Sequence, residues 1–179
     1  TDPLTQASHL YDDGLLRDVK VRRLNSPQAH SQQPPGRCHH LLQTSQVLAM
    51  DAAAMTRRMV AAAAHPRVTV LGHCTGRLVD GSRGLRAESS FDAEKVFTAC
   101  LDHGTAVEIN SRPERRDPPS RLLDLALQIG CDFAIDTDAH APGQLDFLGY
   151  GAQRALDHGV PAERIINTWP VDRLLDRAG

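Results

Sequence analysis

The strongest constraint on this chain is the alternation of short apolar runs with helix-forming segments between residues 48 and 179. Asp51 stands where it can cap a helix through Ala52–Ala64, a run rich in alanine, and Pro66 ends it. Val68–Leu71 is a short β-branched run that predicts a buried strand. Gly76–Ser90 reads as a loop carrying Gly and Arg. Ser90 or Asp92 opens a second helix that ends at Gly104, and Thr105–Ile109 is the next strand. Pro118 and Pro119 open a third helix closed by Gly130, followed by a strand at Asp132–Asp136. A helix over Leu145–Asp157 stops at Gly159, Arg164–Ile166 is a last short strand, and Val171–Arg177 a last helix.

Strand and helix in turn predict an α/β fold with parallel strands joined by helical crossovers. In such folds the functional groups sit at the carboxyl ends of the strands. Three predicted strands end in polar residues: Gly72-His73-Cys74, Glu108-Ile109-Asn110-Ser111 and Asp136-Thr137-Asp138-Ala139-His140. On an extended segment Asp138 and His140, two apart, share a face. A carboxylate and an imidazole aimed at one spot suit zinc, manganese or iron. Asp136 has the same parity and is either a third member or a residue that orients His140. The plainer alternatives stay open. Asp-x-His also serves in capping, His73 can simply close a strand, and Glu108 and Asn110 can satisfy buried backbone groups. Arg77, Arg83, Arg112 and Arg116 fall in loops at the same end, as bidentate phosphate contacts or as solvated charges.

Residues 1–47 differ from the rest. They are rich in Gln, Ser, Pro, Arg and His, with Ser31-Gln32-Gln33-Pro34-Pro35-Gly36 reading as loop, so the chain divides into an irregular 1–47 and an ordered 48–179. With 41% apolar residues and a net charge of −2, the whole suits a folded globular protein and lacks the basic stripe of a phosphate-backbone binder. No run of about 18 apolar residues is present to cross a membrane. No signal peptide is visible, and the start at Thr1 reads as a processed chain or a fragment. Cys38, Cys74, Cys100 and Cys131 are too irregularly spaced for a paired-Cys zinc motif, which suggests the cytoplasm. His65, His103 and His158 end helices, and His39 and His40 are adjacent and so face apart.

The ordered set Val70-Leu71-Gly72-His73, Ala106-Val107-Glu108-Ile109-Asn110-Ser111 and Thr137-Asp138-Ala139-His140 resembles the PHP (polymerase and histidinol phosphatase) superfamily. Leu148-Gly149-Tyr150-Gly151 and Ile166-Asn167-Thr168 agree with it. The resemblance covers about residues 48–179 and is nearest to the PHP domains of bacterial family X DNA polymerases and their stand-alone relatives. It implies the C-terminal part of a distorted (β/α)7 TIM-like barrel, its N-terminal strands missing or degenerate. It further implies hydrolysis of a phosphate mono- or diester, such as histidinol phosphate, a nucleotide or a DNA 3′ end, in keeping with a role in DNA repair. The full family site holds up to three divalent ions (Mn, Zn or Fe), with fewer expected here. His73, Asp138 and His140 match metal ligands. Glu108, Asn110, Arg112, Asp136 and Arg77 fall beside them as substrate contacts or supporting residues. Partners implied are a small phosphorylated substrate or a nucleic-acid end, and a polymerase domain in the parent protein. A remnant without catalysis, serving as a structural or binding module, is the alternative. An amidohydrolase is disfavoured, since Lys20 and Lys95 are the only lysines and neither stands where a bridging lysine is needed.

The chain departs from the family at its start. The His-x-His pair of the first strand is absent, as are a later Glu and the His expected before Leu48, where Leu42-Gln43-Thr44-Ser45-Gln46 stands instead. Either the N-terminal part has diverged or been truncated, or residues from about 20 to 47 are read out of frame. With permitted codons, Arg37–Ser45 shifted by one nucleotide gives Asp-Val-Ile-Thr-Ser-Ser-Arg-His, which resembles the missing strand. The out-of-frame account predicts that string in the coding DNA; a stop codon or an unrelated string there removes it.

Overall fold

A computed structural model describes the backbone of residues 41–43 and residues 50–81 and 84–177. The irregular character expected for 1–47 therefore lies mostly outside the described residues, as do Cys38, His39, His40 and Arg83. Leu41–Gln43 is the exception: it forms a strand, β1, within the segment read as irregular. The other strands are β2 (Val70–Gly72), β3 (Ala106–Asn110) and β4 (Phe133–Asp136). All pair in parallel, in the order β1-β2-β3-β4.

Local chemistry sets the helices between them. In α1 (Ala52–Ala63), Asp51 Oδ1 accepts from Ala54 N at 2.8 Å, which satisfies one of the donors a helix start leaves open. Asp92 does the same for α2 (Ala93–Asp102) through Lys95 N at 3.1 Å. In α3 (Ser120–Ile129), Pro119 precedes the first turn, and Gly130 closes the helix at φ 111°, a conformation that an L side chain rarely adopts. The helix expected over Leu145–Asp157 is divided. A 3-10 stretch, Pro142–Phe147, leads into α4 (Leu148–Asp157). Val171–Arg177 forms α5. The strand expected at Arg164–Ile166 is not formed. Two 3-10 turns occupy Ala162–Arg164 and Ile166–Thr168, and only Ile165 bridges the sheet, beside Phe133. Asn167 explains why the bridge stays short. Its side chain takes both Ile135 N (2.7 Å) and Ile135 O (3.1 Å), the backbone groups a further strand would have used.

The two faces of the sheet differ, as a period of two requires. Leu71, Val107, Ile109, Phe133 and Ile135 point into the main core with Met55 and Met59 of α1, Phe97 of α2 and Leu123 of α3. Val70, Ala106 and Ala134 lie on the other face, against Ile166, Trp169 and Leu174. Along β3, Glu108 and Asn110 continue the Ala106 side, and Asp136 continues the Ala134 side along β4. The polar residues thus project from the face opposite the main core, at the carboxyl end. Cys100 and Cys131 are buried in that core as free thiols, and burial pushes both up to about 12. Those two cysteines are therefore packing groups, while Cys74 Sγ donates to Asp117 Oδ1 at 3.7 Å.

α4 approaches the sheet through Gly151. A Cβ there would stand 2.1 Å from Ser111 Oγ and 2.7 Å from Ile135 Cγ2, well inside van der Waals contact. Gly151→Ala should lower stability by about 1–3 kcal/mol through this clash, outweighing the gain in helix propensity of at most about 1 kcal/mol. A fall in the urea midpoint checks it.

Candidate active site

The carboxyl ends of β2, β3 and β4 bring their polar residues together through a chain of hydrogen bonds. Just after β2, His73 is buried, and its backbone N–H donates to Glu108 Oε2. Glu108 Oε1 accepts from Asn110 Nδ2 at 3.2 Å, and Asn110 Oδ1 accepts from Arg112 N at 3.0 Å. Glu108 and Asn110 thus tie the end of β2 to the loop after β3. Burial, reinforced by the carboxylate of Asp136, pushes Glu108 well above the usual carboxyl range. Burial thus favours the neutral form of this acid, while the N–H groups it accepts from favour the charged one. Burial also raises Asp136, opposed by the backbone N–H of Asp138. For His73, burial lowers the pKa and the Arg115 guanidinium adds to this, while Asp138 and Asp117 oppose it. The imidazole is held neutral, the form that can act as a ligand.

The extended parity expected for Asp138 and His140 does not hold. β4 stops at Asp136, whose Oδ1 accepts from Asp138 N and turns the chain. Asp138 follows at φ 48°, a left-handed conformation that Asp tolerates better than most residues. As a result Asp138 points inward, its side chain 7% exposed, while that of His140 is 68% exposed. The two remain neighbours, with His140 Nδ1 4.0 Å from Asp138 Oδ1. His140 Nδ1 also lies 2.7 Å from Asp138 O and 3.2 Å from Arg112 Nη1. The shorter contact calls for a proton on Nδ1 and leaves the lone pair on Nε2.

Arginines surround this acid group. Arg115 Nε donates to Asp138 Oδ2 at 3.1 Å, and Arg112 Nη1 stands 3.9 Å from the same oxygen while donating to Asp138 O at 3.0 Å. Arg77 is spent on the loop: it donates to Arg115 O (3.0 Å) and Arg116 O, and pairs with Glu88 at 3.3 Å. Arg154 similarly reaches Pro118 O. In the sequence Arg115 is one of a cluster with Arg112 and Arg116 that acidic residues dilute, and Asp117 is not a candidate, yet both are central. Asp117 is fully buried and accepts from Thr75 Oγ1 (2.8 Å) and Thr75 N (3.2 Å), binding the loop after β2 to the loop after β3. The sequence signal for the pair was the charge run Arg115-Arg116-Asp117 immediately after a strand and before two prolines.

The donor types fit a divalent ion of the zinc or manganese kind: the imidazoles of His73 and His140 and the carboxylate of Asp138, with two further carboxyl groups close by. Their arrangement is one in which Arg115 occupies Asp138. Among the described residues no three His, Cys, Asp or Glu side chains converge at ligand spacing.

No family model matches the chain. It is 29% identical over 111 residues to the DNA polymerase/3′-5′ exonuclease PolX of Bacillus subtilis (strain 168). The match covers 62% of this chain and 19% of that relative's length. This similarity agrees with the resemblance found in the sequence, and the chain spans about a fifth of that relative's length. Among the described residues no helix is long and apolar enough to cross a membrane.

Removing Asp117 leaves both Thr75 donors enclosed without an acceptor. Asp117→Ala should cost about 2–3 kcal/mol, since it leaves enclosed donors without their acceptor. Chemical denaturation followed by circular dichroism measures it.

Proposed function

We propose that the carboxyl edge of the sheet is a metal-dependent phosphoesterase site of the PHP kind, acting on a phosphate ester of a nucleotide, a nucleic-acid end or a small metabolite such as histidinol phosphate. The observation that carries this reading is the pairing of Asp138 with His140 beside Arg112 and Arg115 at the carboxyl end of the sheet, with His73 after the neighbouring strand within reach of the Asp138 charge. The similarity to a polymerase/exonuclease supports it from outside the structure. On this reading His73, Asp138 and His140 would hold the ion. When bound, it would lower the pKa of water and neutralise charge on phosphoryl oxygens. The protein's own groups do the rest. Glu108 and Asn110 fix the strand ends. Arg112, anchored by Glu114 at 2.9 Å, is suited to orient a phosphate by charge and hydrogen bonding. The larger site, any polymerase context and the TIM-like barrel belong to the same proposal.

A second reading, a binding or structural module without catalysis, is favoured by one observation: Asp138 is held by Arg115. Mn²⁺ uptake and hydrolysis of p-nitrophenyl phosphate, nucleotides and 3′-phosphorylated DNA decide between the two. The phosphoesterase reading expects Mn²⁺-dependent turnover that Asp138→Ala, as the loss of a ligand itself, lowers beyond the roughly 10–100-fold typical of losing a group that only supports one. Neither uptake nor turnover in the unaltered chain would leave the module.

A further inference from the structure

Arg115 is enclosed at the polar edge with the acid it serves, each side chain only 7% exposed. Its Nε donates to Asp138 Oδ2, yet its Nη1 is buried with no hydrogen-bond partner among the described residues. A guanidinium carries five donors in a fixed fork, and leaving one enclosed without an acceptor is costly. Charge attraction to Asp138 therefore holds the group in a place that does not satisfy it. Arg112 differs: it is anchored on Asp138 O and Glu114 and only approaches the carboxylate. The backbone of Arg115 is pinned, its N donating to Arg112 O at 3.0 Å and its O accepting from Arg77. Any release is thus a swing of the side chain.

We propose that Arg115 is a built-in counter-cation for Asp138, and that a divalent ion binds this edge only against it, by displacing the guanidinium from the carboxylate. The proposal rests on the phosphoesterase reading and adds the group that sets the metal affinity. Asp138 Oδ2 cannot serve a guanidinium at hydrogen-bond distance and a metal at about 2.0–2.2 Å together. An ion on Oδ1, the oxygen 4.0 Å from His140, still faces the like charge across one carboxylate, in an enclosed setting where water screens little. Metal uptake and Arg115 release are then one equilibrium, and each must shift the other by the same factor. Arg115 is a positioning residue here: in the metal-free chain it holds one oxygen of a buried carboxylate whose other oxygen lies 4.0 Å from His140, and it prevents that charge from standing alone.

Titration of the full chain with Mn²⁺ alone, followed by electron paramagnetic resonance, tests this in the unaltered protein, Arg115→Gln and Arg115→Lys. Arg115→Gln removes the charge and should bind Mn²⁺ about tenfold more tightly, within the usual range of coupling between two sites. Arg115→Lys keeps the charge and should stay near the unaltered affinity. Equal or weaker binding by Arg115→Gln, or tight binding by both variants, would overturn the proposal while leaving the phosphoesterase reading in place. Uptake by none of the three chains would overturn both. A second measurement needs no variant: saturating Mn²⁺ should raise phenylglyoxal labelling of Arg115, mapped by mass spectrometry, and unchanged or lower labelling refutes displacement.

Discussion

The carboxylate of Asp117 joins two loops that the strands alone would leave independent. Parallel pairing aligns the ends of β2, β3 and β4, but nothing in a strand ladder dictates where the chain goes next. Asp117 fixes this by gripping Thr75, while its own backbone carbonyl accepts from Asn110 N at 2.9 Å. The loop after β3 is thereby folded back over the end of β3, which brings Arg112 and Arg115 to Asp138. The polar edge depends on this one buried acid more than on any of the residues it assembles.

Unusual backbone conformations collect at the same edge. Among the described residues, His73, Arg116 and Asp138 are the ones other than glycine with positive φ. Each follows a strand end or lies in a loop that leaves one. Such conformations cost free energy and persist where surrounding bonds determine them, which is the situation of His73 beside Glu108 and Asp138 beside Asp136. Burial of Glu108, Asp136 and His73 adds a second cost. The core of Met55, Phe97, Phe133 and Ile109 is the counterweight, placed on the opposite face of the sheet.

Much of the architecture was legible in the residues. Caps such as Asp51 and Asp92, stops such as Gly130, and short β-branched runs are local signals, and the elements they predict appear within a residue or two of the expected bounds. The strand at Arg164–Ile166 failed because Asn167, just beyond the apolar run, claims the ladder groups of Ile135 through its side chain. That is tertiary information. The candidate site divides the same way. The residue types at the strand ends could be read directly, but the orientation of Asp138 and His140 could not, because a side-chain bond from Asp136 ends the alternation two residues early. Arg115 could be read only as one of a cluster with Arg112 and Arg116, diluted by acidic neighbours, and Asp117 not at all, since an Arg-Arg-Asp run in a loop looks solvated until its burial is known.

The C-terminal end carries a different kind of consequence. Trp169, the chain's single tryptophan, donates its Nε1–H to Glu163 O at 2.8 Å and lies under the guanidinium of Arg173, 3.4 Å from the ring centroid, with that of Arg177 at 5.0 Å. Both arginines belong to α5, and Arg177 also pairs with Asp132 at the entrance to β4. Indole emission from this protein is therefore an optical gauge of how α5 is seated. It reads the closing seam of the fold, and is blind to events in the sheet that leave that seam intact.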